Sequence, residues 1–281
     1  LKTDGTVWCW GRADLKQVGS FVPPEALCPN GSLTISCLRT PTIVPGLTGV
    51  ASLAVGSSHV CALKTDGTVW CWGNNEFGQL GAAVGTVCRP SGYGPVPCVE
   101  TPTRVAGLPD AAGIAAIGGN TCALMRDGTA RCWGDGLSGQ LGSMVSGRCD
   151  NPCMDTHCTP TPTEVPGLSG LRGLTLSLDN QGTRACAWRA DGTVSCWGAY
   201  DSGFFGGAPG VACSLESRCT HGERPCTPTP LTAPGLTNVE MLTRGCALTR
   251  TGGVLCWGDN FSGQLGDGTV THRRTPAPVV F

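Results

Sequence analysis

Between Thr40 and Gly81 the apolar residues fall in four short runs, Pro41–Val44, Val50–Val55, His59–Lys64 and Thr68–Trp72, with Gly, Pro, Ser and Asp between them. Runs of this length bounded by turn formers predict β-strands. No useful window places apolar residues at helical spacing. The last run carries a phrase that recurs along the chain. DGTVWCWG at 4–11 returns as DGTVWCWG at 66–73, DGTARCWG at 127–134, DGTVSCWG at 191–198 and TGGVLCWG at 251–258. Successive copies are 62, 61, 64 and 60 residues apart. A four-stranded unit repeated in tandem predicts blades, and the fold class is an all-β propeller of four-stranded blades spanning 1–281 as a single domain.

Cysteines refine the hairpin inside each blade. Cys61 and Cys71 are ten residues apart, as are Cys122/Cys132, Cys186/Cys196 and Cys246/Cys256. A two-residue turn at Asp66-Gly67 would set Cys61 opposite Trp72. A three-residue loop of Thr65, Asp66 and Gly67 sets Lys64 opposite Thr68 and Cys61 opposite Cys71. That loop is a type I turn followed by a left-handed residue, where glycine fits without steric penalty. Opposed residues lie about 4.5–5.5 Å apart at Cα, within disulfide reach. Each blade is therefore expected to be stapled across this hairpin. The tryptophan that follows each cysteine faces the other way. Trp10, Trp72, Trp133, Trp197 and Trp257 fill this slot, whereas two positions earlier stand Trp8, Trp70, Arg131, Ser195 and Leu255. The fixed slot reads as packing between blades, in preference to a ladder for sugars or bases, and the variable slot as partly solvated.

Composition sharpens the picture. The chain has 43 Gly, 21 Pro and 19 Cys in 281 residues, with only 14% charged residues and a net charge of -1. Gly and Pro interleaved with Trp, Val and Leu mean many tight turns in a folded chain. The charge balance lacks the basic footprint of a nucleic-acid binder, and no apolar stretch reaches the roughly 20 residues of a membrane span. Nineteen cysteines without any C-x2-C pair point to disulfides rather than metal, hence to an oxidising compartment: secreted, periplasmic or cell-surface.

The stretches GSSHVCALKTDGTVWCWGNNEFGQLG (56–81) and GDNFSGQLGDGTVTHRRTPAPV (258–279) resemble repeats of the regulator of chromosome condensation family. The resemblance extends over essentially the whole chain. It implies a β-propeller, most often of seven blades. The family includes a nuclear exchange factor for a small GTPase and secreted bacterial inhibitors of β-lactamases. Strand cysteines and the lack of a basic tail separate this chain from the nuclear member, so the exchange-factor function is not expected to carry over. The cysteine-bearing repeat is similar to that of exported bacterial proteins.

The copies diverge after the loop GQLG, found at 78–81, 139–142 and 263–266 and read as GFFG at 203–206. Four copies carry inserts roughly ten residues longer than the compact last one. They hold the expected pairs Cys28/Cys37, Cys88/Cys98, Cys149/Cys158 and Cys213/Cys226, with Cys153 and Cys219 as a further bridge between neighbouring inserts. Insertions at equivalent points of a propeller share one face. Their disulfides either stabilise long loops, by about 2–4 kcal/mol each, or pre-organise a binding surface, and both can hold. Cys9 is left over; its partner would fall two positions before Leu1. The first blade is thus incomplete, and about four and a half blades are present.

Candidate chemistry is sparse. His59 occupies the G-x-x-H slot, where a turn-stabilising role fits better than catalysis because the other copies lack it. DTHC (155–158) and CTHG (219–222) set His157 and His221 beside cysteines, but oxidised cysteines do not ligate zinc. The recurring Asp4, Asp66, Asp127 and Asp191 belong to turns. DNFSGQLGDG (259–268) lacks the terminal Glu of a calcium loop. Asn30 and Asn260 head glycosylation sequons. No catalytic residue, metal ligand or cofactor is assigned. The expected function is a non-catalytic interaction scaffold that binds a protein partner or itself through the insert face. An extracellular enzyme with its site in the inserts, or a self-assembling structural array, are the competing readings.

Overall fold

A computed structural model describes residues 1–20, 22–23, 26–30, 33–82, 86–90, 94–144, 149, 157–179, 182–199, 211–214, 223–243 and 245–280. The described chain is built of antiparallel sheets, one per repeat. The first holds β1 (Trp8–Arg12), β2 (Leu27–Asn30) and β3 (Leu33–Ile43), in the order β1-β3-β2. The second holds β4 (Val50–Val55), β5 (His59–Lys64), β6 (Val69–Asn74), β7 (Val87–Cys88) and β8 (Val96–Arg104), in the order β4-β5-β6-β8-β7. The third is a four-stranded meander of β9 (Ala111–Ile117), β10 (Asn120–Met125), β11 (Ala130–Asp135) and β12 (Cys158–Glu164). The fourth repeats the second pattern with β13 (Leu171–Asp179), β14 (Gly182–Arg189), β15 (Val194–Ala199), β16 (Val211–Ser214) and β17 (Glu223–Thr232). The last is a four-stranded meander of β18 (Val239–Thr243), β19 (Cys246–Thr249), β20 (Val254–Gly258) and β21 (Arg273–Pro278).

The phrase that recurs in the sequence is the turn and strand at the centre of each blade. Lys64 donates its N–H to the Thr68 carbonyl at 2.9 Å and Gly67 donates to the Lys64 carbonyl at 3.0 Å, closing the three-residue loop. Gly67 has φ of 80°, which a side chain would strain. Asp66 Oδ1 accepts from the Thr68 N–H at 2.9 Å and from its hydroxyl at 2.6 Å. Asp4/Thr6, Asp127/Thr129 and Asp191/Thr193 repeat the arrangement. Three residues in from the Lys64–Thr68 pair, Cys61 faces Cys71 at a position without ladder bonds, where antiparallel strands approach most closely. Disulfides join Cys61–Cys71, Cys122–Cys132, Cys186–Cys196 and Cys246–Cys256, with Cα separations of 4.0–4.1 Å.

Tryptophan does more than fill space. Trp72, Trp133 and Trp197 are fully buried. Each indole N–H donates to the backbone carbonyl of the glutamine in the preceding repeat's loop: Trp72 to Gln17 at 3.0 Å, Trp133 to Gln79 at 2.8 Å and Trp197 to Gln140 at 3.0 Å. The glutamine side chain ties its own loop, as Gln79 Oε1 accepts from the Phe77 N–H at 2.8 Å. A blade is thus latched to its neighbour by one side chain that is apolar over most of its surface and polar at one atom. Trp10 departs from the expectation of burial in every copy: it is 62% exposed.

Contacts divide the chain into two compact units, Leu1–Ala123 with Cys132–Asp135 and Ser146–Thr163, and Leu124–Arg131 with Gly136–Val145 and Glu164–Phe281. In the first, Val7, Val44, Leu47, Val50, Val60, Ala62 and Trp72 form one core cluster. In the second, Val194, Leu236, Val239, Leu242 and Trp257 pack with the Cys186 and Cys196 side chains.

Candidate binding surface

Among the described residues the first, second and fourth inserts form hairpins, where loops were expected from their Gly and Pro content. At 11, 9 and 10 residues, β3, β8 and β17 outrun the other strands of their blades. The second half of each pairs with its blade and the first half with an insert arm. In the first blade Arg12 opposes Cys37, and beyond that point Cys28 opposes Ile35 and Asn30 opposes Leu33. In the second, Asn74 opposes Cys98, and Cys88 opposes Val96. This extra strand makes the second and fourth sheets five-stranded, where four strands were expected.

Disulfides sit where these hairpins fork from the blade. Cys28–Cys37 and Cys88–Cys98 span 5.8 and 5.7 Å between Cα atoms, and each joins the short arm to the residue where the long strand leaves the blade. Cys149–Cys158 spans 6.1 Å. Cys226, opposite Ala199, occupies the same fork in the fourth blade and is disulfide-bonded; the side chain of Cys213 lies outside the described residues. So do Cys153, Cys219 and His221. Cys9, half-buried, is unpaired among the cysteines of this sequence, and burial pushes the pKa of its thiol up.

The second insert does not stand alone. Its disulfide and Val96 pack against Leu15 from the loop of the first repeat, and Lys16 in that loop reaches Glu100 of β8 at 3.2 Å. The first two insert arms each carry an exposed apolar residue: Leu27 is 43% and Val87 58% exposed.

Histidine at position 59 proves to be an internal part. Its ring is fully buried, and Nε2 lies 2.9 Å from the hydroxyl of Thr121. That hydroxyl donates to the Gln79 carbonyl at 2.9 Å, so its oxygen accepts from His59, which sets the Nε2–H tautomer. Burial lowers the His59 pKa to about 4 and keeps the ring neutral. The ring lies over Gly56 of its own turn, and its hydrogen bond to Thr121, which was not expected from the sequence, also joins two repeats. Asn120 and Arg184 fill the same slot differently, each donating to a backbone carbonyl of its own blade, Asp135 and Ala199. The Asn260 sequon is closed in the folded chain. Asn260 is fully buried, donating to the Thr269 carbonyl at 2.9 Å and accepting from the Leu265 N–H at 2.9 Å. The side chain of Asn30 lies outside the described residues. Among the described residues no cluster of His, Cys, Asp or Glu is arranged to hold a metal ion.

A sequence profile of the Regulator of chromosome condensation (RCC1) repeat matches residues 4–63 and 66–124, and a second profile of the same repeat matches 50–79, 114–140 and 244–264. Together they take in more than half of the chain. The chain belongs to the RCC1 repeat family. It is 30% identical over 99% of its length to the human E3 ubiquitin-protein ligase HERC2, of which it spans 5%. To Protein pim1 of Schizosaccharomyces pombe it is 27% identical over 86% of its length, spanning 43% of that protein. The chain thus covers less than half of either curated relative. Human WBSCR16 matches in three dimensions with a TM-score of 0.67 at 21% identity, covering 99% of this chain and 63% of that one. Yeast RCC1 (Prp20), solved with Kap60, matches with a TM-score of 0.66 at 21% identity, covering 100% and 59%. These matches show the fold of this RCC1-repeat chain to be a partial propeller. Its disulfides belong to an oxidising compartment. Among the described residues no helix is long and apolar enough to cross a membrane.

Proposed function

We propose that this RCC1-repeat chain is a non-catalytic interaction scaffold, secreted, periplasmic or on the cell surface, that binds a protein partner or a second copy of itself through its insert hairpins. The observation that carries the reading is the stapled fork. A disulfide at the root of each hairpin holds an extended, partly apolar arm in one orientation, which lowers the ordering cost of association. Exposed Leu27 and Val87 on the first and second arms supply the kind of apolar contact that an interface core needs. The recurring carboxylates are engaged in turns, and the buried histidine in packing, which favours binding over chemistry. The resemblance to exported bacterial versions of the repeat rests on the strand cysteines.

Chemical cross-linking of the full-length protein in its native extracytoplasmic fraction tests the reading. Cross-links to a partner or a second copy are expected to start from residues 27–43 and 86–104, and Leu27→Asp with Val87→Asp to remove them without shifting the unfolding midpoint. Cross-links that map elsewhere, or that persist in the double variant, contradict it.

A further inference from the structure

At the other end of the fourth blade, beside the turn at Asp191-Gly192, lies a cleft of about 270 Å³ whose lining includes Arg172, Trp188, Arg189, Glu240 and Arg250. We propose that this cleft binds a small organic anion whose negative group sits next to a planar apolar ring. It does not depend on the insert hairpins, which leave the blade at its opposite end.

Two features separate this cleft from the same place in the other blades. The first is its aromatic wall. In register, Gly173 faces Trp188, where the second blade has Ser52 facing Leu63 and the last has Met241 facing Leu248. A Cβ on residue 173 would lie 1.9 Å from Trp188 Cζ2, so the indole lies directly over the glycine and needs its absence of a side chain. The second feature is charge. The lining residues include three arginines and one acidic residue, Glu240, in a chain whose net charge is -1. Asp191 is the further acidic group felt by Arg189, and it is already engaged by Thr193.

The guanidiniums are also pre-set. Arg189 donates from Nε to the Ser169 carbonyl at 3.0 Å and from Nη1 to Ser195 Oγ at 3.1 Å. Arg250 donates to the Ala190 carbonyl. These neutral partners fix the heads without cancelling their charge, and leave N–H groups for a ligand. Arg172 makes no hydrogen bond or ion pair among the described residues. Guanidinium bonds carboxylate and phosphate in two-pronged fashion, and the indole offers a flat apolar face to the ring beside them. The volume suits a single ring with its acid group rather than a nucleotide.

Isothermal titration of the full chain with phenyl phosphate, inorganic phosphate and benzyl alcohol tests the assignment. Phenyl phosphate is expected to bind saturably and more tightly than either of the others. Arg172→Ala should weaken it by about tenfold or more without moving the unfolding midpoint of the free protein. Trp188→Leu, the residue of the other blades, should erase the preference over inorganic phosphate. Absence of saturable binding, equal affinity for inorganic phosphate in the unsubstituted protein, or affinity unchanged by both substitutions overturns the proposal.

Discussion

Replacing Trp133 by Phe tests whether the recurring tryptophan is a latch between repeats or a platform for ligands. The indole is fully buried and donates to the Gln79 carbonyl at 2.8 Å. A buried hydrogen bond of this kind contributes about 0.5–1.5 kcal/mol net. Shrinking the ring where neighbours close in only partly adds about 1–2 kcal/mol. Trp133→Phe should therefore cost about 2–3 kcal/mol. The Gln79 carbonyl still accepts from the Thr121 hydroxyl at 2.9 Å in that variant, so it is not orphaned. Adding Thr121→Val removes the second donor, and the double variant should lose about 1–2 kcal/mol more than the two single ones together. Val55→Thr, at a 63% exposed site, is the control and should stay within about 0.5 kcal/mol of wild type. Urea unfolding with disulfides intact, followed by far-UV circular dichroism, reads all four. If Trp133→Phe unfolds at the same urea concentration as Val55→Thr, or the double variant is additive, the latch is refuted.

Acid should weaken the fold through His59. Its folded pKa of about 4 lies below the ordinary 6.5, so the unfolded chain takes up the proton first as pH falls. Stability is full above about pH 6.5 and declines by up to about 3 kcal/mol towards pH 4; urea midpoints across this range should fall, and His59→Gln should flatten the slope. Cys61→Ser with Cys71→Ser opens a loop of ten residues and should cost about 3 kcal/mol, seen as a lower urea midpoint than that of the native disulfide form. Asn260 should carry no glycan when the chain is produced in a glycosylating host, because its amide is sealed inside the last loop; peptide mass mapping checks this directly.

The spacing of Cys61 and Cys71 around Asp66-Gly67 was enough to select the three-residue turn and the facing pair, because strand geometry has a period of two and only one loop length satisfies it. The same logic separates the two tryptophan slots. It was silent on the indole's acceptor: a backbone carbonyl about 55 residues away leaves no mark on composition. GQLG marked the loop, yet nothing in it says that the glutamine carbonyl points at the next blade while its side chain serves its own turn. The insert arms were illegible as strands for a plainer reason. Leu27–Asn30 contains a proline and a cysteine, and Val87–Cys88 is too short to show alternation; both pair only because β3 and β8 extend past their blades. Arg172, Arg189 and Arg250 lie 17 and 61 residues apart, and only the adjacency of two blades brings them to one cleft.

The central claim is that the last four repeats are stapled across their turns in an oxidising compartment, and peptide mapping without reductant tests it most directly. The protein is taken from its native fraction, alkylated at once and digested. The account predicts cross-linked peptides joining Cys61–Cys71, Cys122–Cys132, Cys186–Cys196 and Cys246–Cys256, with no alkylation at these eight positions. Recovery of these cysteines as alkylated thiols, or in pairs that cross from one repeat to another, would contradict both the turn and the compartment.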